Sequence, residues 1–77
     1  MPVDLLQLAG AAAEVLEALG YVAVARKRDG VVTLEYRRLV GSRQYMMRHV
    51  VTDDSPGAPE LAARCDAEFR AAMAHHE

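Results

Sequence analysis

The chain has little with which to stabilise a small fold covalently or through a metal. Cys65 is its only cysteine, so no intramolecular disulfide can form, and a zinc site built from one cysteine and scattered histidines would be unusual. Its 77 residues suffice for a single domain over 1–77. A domain of this size buries only about 60% of the surface that its unfolded chain exposes. We therefore expect self-association to supply further burial, and predict a homodimer.

Long apolar runs are also missing. Residues 1–19 lack a basic start, and Asp4, Gln7, Glu14 and Glu17 interrupt their apolar positions, a pattern unlike a signal peptide. No segment approaches the roughly 18 uninterrupted apolar residues of a membrane span. Together with the single thiol, these features predict a cytoplasmic protein without a membrane partner.

The residues that could carry catalysis or bind a metal are isolated from one another. No GxGxxG, P-loop, HExxH or CxxC motif occurs. No acidic residue is placed by the sequence to orient His49, and Cys65 falls on an apolar helix stripe. His75 and His76 are adjacent, so on a helix they point about 100° apart and cannot share a metal well. We expect no enzymatic activity, no cofactor and no metal.

Charge is distributed unevenly along the chain, whose net charge is −2. Residues 21–51 contain seven basic and two acidic side chains, whereas residues 1–20 contain three acids and no base. Residues 52–77 contain six acids and two bases. The pattern fits mutual attraction between helices and sheet, and it also fits a basic sheet surface that meets an acidic partner.

Two helices are predicted, at about 5–19 and 59–75. In the first, Asp4 suits the N-cap and Gly20 suits the left-handed position after the last turn. Its predicted apolar face comprises Leu5, Leu8, Ala12, Val15, Leu16 and Leu19. The second helix has Pro59 in its first turn. Its predicted buried stripe comprises Leu61, Cys65, Phe69, Ala72 and Met73.

Between the helices, β-rich composition predicts three antiparallel strands at about 21–27, 31–40 and 43–51. Gly41-Ser42 suits a type II′ turn, which pairs Val40 with Arg43 and sets Glu35 opposite Arg48. The fold class is therefore α+β, with the order α-β-β-β-α and both helices on one face of a three-stranded meander.

The first hairpin admits two registers. A two-residue Asp29-Gly30 loop would put Val22 and Val24 on the same face as Glu35. A three-residue loop with a G1 bulge at Gly30 would shift the parity and turn both valines toward the helices. We predict the bulge, because it gathers the apolar residues on one face.

On this register the tyrosines at 36 and 45 belong to the core face, with His49 among them. The opposite face mixes apolar side chains with arginines, which is more apolar surface than a fully exposed sheet face needs. Its candidate interaction residues are Val31, Arg37, Leu39, Met46, Arg48 and Val50.

The order of elements over nearly the whole chain resembles that of double-stranded RNA-binding domains. Those domains grip phosphates with a Lys-Lys-x-Ala-Lys signature at the start of the last helix. The corresponding region here, residues 57–64, has one base, Arg64, and one acid, Glu60. The resemblance therefore implies the topology and not RNA binding.

The segment Leu19-Gly20-Tyr21-Val22, followed by Asp29-Gly30-Val31-Val32 and a late Phe69, resembles the type III secretion chaperone-like group of small bacterial proteins, including YbjN-type proteins. That resemblance implies a homodimer that binds other proteins. We expect a non-catalytic protein-interaction domain that dimerises, packing either the mixed sheet face or an exposed strand edge against a second copy or a partner. The alternative is nucleic-acid binding through the basic central sheet, with Arg37 and Arg48 as contacts.

Overall fold

A computed structural model describes residues 4–75 of the chain, which form a three-stranded sheet with two helices. The elements are α1 (Leu5–Ala18), β1 (Val22–Arg28), β2 (Val31–Val40), β3 (Arg43–Val51) and α2 (Ala58–Ala74). The strands are antiparallel in the order β1-β2-β3. Both helices pack on one side of the sheet, which we call the inner face; the other side is the outer face. The predicted α+β class and α-β-β-β-α order are confirmed.

Helix α1 begins and ends where its sequence predicts. The Asp4 carboxylate accepts hydrogen bonds from the backbone N–H groups of Leu6 at 3.1 Å and Gln7 at 3.2 Å. Gly20 has φ +99°, and the Tyr21 N–H donates to the Leu16 carbonyl at 3.0 Å. This Schellman arrangement satisfies carbonyls left free by the last turn and leads the chain directly into the sheet.

The buried side of α1 is narrower than its apolar periodicity predicts. Its centre is formed by alanines at 9, 12 and 13 together with Leu16, whereas Leu19 is exposed, against the prediction. Small side chains let a helix approach a sheet closely, and Ala23 of β1 is buried with them. Leu19 lies past the last helical turn, where the chain turns away into the sheet.

Helix α2 joins the core through the first three residues of the predicted stripe, whereas Ala72 and Met73 are only half-buried. Leu61, Cys65 and Phe69 are buried, and Ala62 is buried beside them. The Phe69 ring meets the Tyr21 ring edge to face at a centroid distance of 5.1 Å, and Tyr21 in turn meets Tyr36 edge to face at 5.8 Å. These aromatic contacts join α2 to the sheet.

The second hairpin has the predicted register. Gly41 has φ +65°, as the first central residue of a type II′ turn requires, and Val40 pairs with Arg43. Leu34 and Tyr36 are fully buried on the inner face, as predicted.

The first hairpin contradicts the predicted bulge. Asp29 has φ +52° and Gly30 has φ +79°, so a two-residue turn with both residues in the left-handed region joins Arg28 to Val31. Val22 and Val24 therefore point to the outer face and are about half exposed. Counting apolar residues favoured the wrong register, because the inner face of β1 needs small side chains beneath α1.

Two glycine substitutions test this backbone geometry. A Cβ at Gly10 or at Gly30 would meet no atom within 4 Å, so only backbone conformation separates the two sites. Gly10→Ala should stabilise the protein by up to about 1 kcal/mol through helix propensity. Gly30→Ala should destabilise it by about 1–2 kcal/mol, because Ala pays to adopt positive φ. Urea unfolding measures both; an unchanged stability for Gly30→Ala would contradict the two-residue turn.

Candidate interaction surface

The outer face is built from rows of side chains that cross all three strands. The strand register sets Arg37 between Val22 and Met46 in one row and Glu35 between Val24 and Arg48 in the next. A third row places Thr33 between Arg26 and Val50. Neither helix packs on this side, since the buried side chains of the sheet lie on the inner face, in contact with the helices.

Apolar side chains are unusually exposed on this face. Six large apolar residues there are between 44% and 64% exposed: Val22, Val24, Val31, Leu39, Met46 and Val50. Isolated exposed apolar residues are common on protein surfaces, whereas these six share one sheet face, with charged and polar side chains between them. Surfaces of this kind are typical of interaction sites.

The charged groups of the outer face are mostly arginines. Glu35 accepts a hydrogen bond from Arg26 Nε at 3.1 Å and another from Arg48 Nε at 3.0 Å. The predicted Glu35–Arg48 pair is therefore present, with Arg26 added from β1. Arg28 and Arg37 also lie on this face by register, so four arginines accompany one glutamate. The face combines apolar surface with positive charge.

All six candidate residues predicted from the sequence lie on the outer face: Val31, Arg37, Leu39, Met46, Arg48 and Val50. The sequence analysis did not place Val22 and Val24 on this surface, because the predicted bulge put their side chains on the inner face. The Asp29-Gly30 pair was the signal that could have found them, since it is a strong marker of a two-residue turn.

The inner face brings His49 to an acidic residue that the sequence did not indicate. His49 Nδ1 lies 3.5 Å from Glu68 Oε2, across the space between β3 and α2. Within residues 4–75, no three His, Cys, Asp or Glu side chains are grouped so that they could hold a metal ion. His76 and Glu77 lie outside the described residues. The pair connects α2 to β3 at the rim of the core.

Cys65 and Tyr36 meet inside the core. Burial raises the pKa of the Cys65 thiol to about 11, so the thiol stays protonated at neutral pH. The Tyr36 hydroxyl lies near this thiol, which is at best a weak hydrogen-bonding group. Among the described residues, the Tyr36 hydroxyl oxygen has no hydrogen-bond partner of regular geometry. Burial likewise raises the pKa of Tyr36. Burial and the raised pKa both lower the reactivity of this thiol, which packs in the core between α2 and the sheet.

Tyr21 and Asp66 connect the start of β1 to α2. The Tyr21 hydroxyl donates to Asp66 Oδ1 at 2.6 Å, and Arg70 Nε lies 3.2 Å from the same carboxylate. The hydrogen bond from Tyr21 is the main reason that the pKa of Asp66 is lowered. The Arg38 guanidinium lies 5.3 Å from the centre of the Tyr21 ring. Together these contacts hold α2 against the start of β1.

One pair of substitutions tests the difference between the two sheet faces. Leu34 is fully buried on β2, and Leu39 on the same strand is 64% exposed. Leu34→Ala should cost about 2–5 kcal/mol of unfolding free energy, through lost burial and the cavity it leaves. Leu39→Ala should stay within about 0.5 kcal/mol of the parent. Equal losses in urea unfolding would show that the outer face is covered in the folded chain.

The Tyr21–Asp66 bond predicts a pH dependence of stability. Because the pKa of Asp66 is lowered in the folded state, its contribution is present above the usual aspartate pKa of about 3.9. That contribution is lost as pH falls below this value, through the folded-state pKa. Tyr21→Phe and Asp66→Asn should therefore both flatten the acid side of the stability curve, measured by urea unfolding between about pH 2 and 6. A wild-type slope in both variants would contradict the assignment.

Comparison of the chain with models of known protein families, with curated proteins and with solved structures finds no match. The resemblances to double-stranded RNA-binding domains and to type III secretion chaperone-like proteins therefore stay predictions. Neither α1 nor α2 is long and apolar enough to cross a membrane.

Proposed function

We propose that the chain is a non-catalytic protein-interaction domain whose outer face binds a partner segment carrying both apolar and acidic side chains. The observation that carries this proposal is the coincidence of six exposed apolar residues and four arginines on the outer face, which neither α1 nor α2 covers. Burial of the apolar residues supplies affinity, and the arginines supply orientation and selectivity.

Charge favours an acidic partner over a second copy on this surface. Two outer faces packed against each other would bring all their arginines together, with one glutamate from each copy to offset them. Like charges juxtaposed in an interface cost several kcal/mol. A partner with carboxylates pairs instead with Arg28 and Arg37, which make no ion pair within residues 4–75.

The dimensions of the face suit an amphipathic helix. Three strands about 4.8 Å apart and up to ten residues long present a surface roughly 10 Å across and about 30 Å long. An α-helix is about 10 Å wide, and 18 residues of helix extend for about 27 Å. Because the rows alternate apolar and charged side chains across the strands, such a helix would meet the face with apolar and acidic residues side by side.

Two features support the non-catalytic part of the proposal. Cys65 is buried, and its raised pKa keeps it in the unreactive thiol form. His49 faces Glu68 at the rim of the core, where the pair joins two elements of the fold. A buried free thiol also fits a reducing compartment, which supports the proposal of a cytoplasmic protein.

The basic sheet also raises the alternative of nucleic-acid binding. Proteins that bind single strands present aromatic rings on which bases stack. Tyr36 is fully buried on the inner face and Tyr45 shares its side of the sheet, so neither ring is presented on the outer face. The absence of exposed rings on the outer face favours a protein partner over nucleic acid, and the binding experiment below compares the two.

A designed peptide tests the proposal directly. The probe is a fluorescein-labelled amphipathic helix of about 18 residues, with leucine on one face and glutamate on the other, and its matched control carries lysine in place of glutamate. Fluorescence anisotropy should show binding of the glutamate peptide that weakens as salt rises. The lysine peptide should bind at least about tenfold more weakly.

Substitutions on the face locate the binding. Arg37→Glu and Val24→Asp should each weaken binding of the glutamate peptide, whereas Glu14→Gln, on an exposed position of α1, should leave it unchanged. Equal affinity for both peptides, or an unchanged affinity of Arg37→Glu, would contradict the proposed partner chemistry. Tighter binding of duplex or single-stranded DNA than of either peptide would establish the nucleic-acid alternative instead.

A further inference from the structure

Among the described strands, β3 lies at an edge of the sheet and pairs with β2 alone. In a two-residue hairpin the residues flanking the turn form a hydrogen-bonded pair, and such pairs then alternate along the strands. Since Val40 pairs with Arg43, the odd-numbered residues of β3 bond to β2. The backbone groups of Gln44, Met46, Arg48 and Val50 therefore point away from the sheet. Within residues 4–75, none of them bonds to a turn, a helix or a loop.

This edge lacks three features that block strand pairing, namely short length, proline and a bulge, although it carries Arg43 and Arg48. β3 has nine residues, contains no proline and runs in unbroken register with β2, without a bulge. The other edge differs in two ways. β1 ends in Arg26, Lys27 and Arg28, which guard it with charge, and α1 covers its inner side.

The inner side of β3 is incompletely covered by the helices. Tyr45, Met47 and His49 are only half-buried, in contrast to the fully buried Leu34 and Tyr36 of the adjacent strand. A strand added beside β3 would therefore bury apolar surface as well as pair backbone groups.

We propose that two copies of the chain pair through β3 in antiparallel orientation, with the two-fold axis at Met47. Met47 is the central residue of the strand, so this register alone pairs all nine residues. It sets Gln44 against Val50 of the second copy and Met46 against Arg48 of the second copy. These are the residues whose backbone groups are free, so the hydrogen-bonding parity is satisfied on both sides of the axis.

Charge also favours this register. It sets Arg48 opposite Met46 of the second copy and Arg43 opposite Val51 of the second copy, so no like charges lie directly opposite. Moving the axis by one residue to Arg48 would put two arginines face to face and leave fewer residues paired. Arg48 also forms an ion pair with Glu35 of its own copy, at 3.0 Å.

The resulting dimer has a six-stranded sheet in the order β1-β2-β3-β3-β2-β1. All four helices lie on one side, and the two outer faces join into one continuous surface. The inference goes beyond the proposed function, because it concerns a strand edge and not the face that binds the acidic partner. Edge pairing leaves the outer face open, so both can operate at once.

Sedimentation of the full chain with an edge variant is the first test. The wild type should form a dimer, and Met46→Pro should weaken dimerisation at least about tenfold. Proline removes the Met46 N–H, which the dimer needs but the β2–β3 ladder does not use. Circular dichroism should show the wild-type fold for this variant. Arg37→Glu, on β2, should leave the dimer intact while weakening peptide binding, which separates this inference from the proposed function.

Disulfide trapping is the second test and does not depend on tolerance of proline. In the proposed dimer, residue 47 lies on the two-fold axis and forms a non-hydrogen-bonded pair with residue 47 of the second copy. The Cα separation of such a pair is about 4.5 Å, which a disulfide between two Met47→Cys copies can span. Oxidised glutathione should trap this variant as a covalent dimer, and Leu39→Cys on the outer face should stay unlinked. Wild type should also stay unlinked, because Cys65 is buried.

Three results would overturn the inference. One is a wild-type monomer throughout the accessible concentration range, and another is a Met46→Pro dimer as tight as wild type. The third is trapping through Leu39→Cys in place of Met47→Cys, which would show that copies pack face to face.

Discussion

The length of the turn between β1 and β2 determines which side chains of β1 reach the core. Side chains alternate between the faces of a strand, so one added residue in the turn would exchange the two sets. Asp29 and Gly30 both adopt positive φ, which closes the hairpin with two residues and sends Ala23 inward and Val24 outward. The character of both faces depends on this turn.

The inner face shows why that arrangement is stable despite the exposed valines. Three alanines of α1 are buried with Ala23, so the helix lies close to the sheet where a larger residue would hold it away. The remaining core volume is filled by the rings of Tyr21, Tyr36 and Phe69. The small side chains of β1 therefore pack beneath α1, and its β-branched side chains lie on the outer face.

Most of the fold was predictable from local sequence signals. The one wrong register, that of the first hairpin, came from preferring a fully apolar sheet face over the local turn preference. Asp4 and Gly20 marked the limits of α1, and Gly41-Ser42 set the register of the second hairpin. At the first hairpin, gathering apolar residues on one face took precedence over the turn preference of Asp29-Gly30, and the close approach of α1 was not visible in the sequence. The pairing of His49 with Glu68 was equally hidden, because it depends on how α2 lies across the sheet.

The outer face and the β3 edge have a common origin in the open three-stranded sheet, whose helices cover one side only. The most direct measurement of this account is the solvent accessibility of the valine methyl groups, read by NMR with a soluble paramagnetic agent. We expect strong relaxation enhancement at Val22 and Val24 and weak enhancement at Val32, which is buried. Protected methyl groups at Val22 and Val24, with contacts to α1, would contradict it.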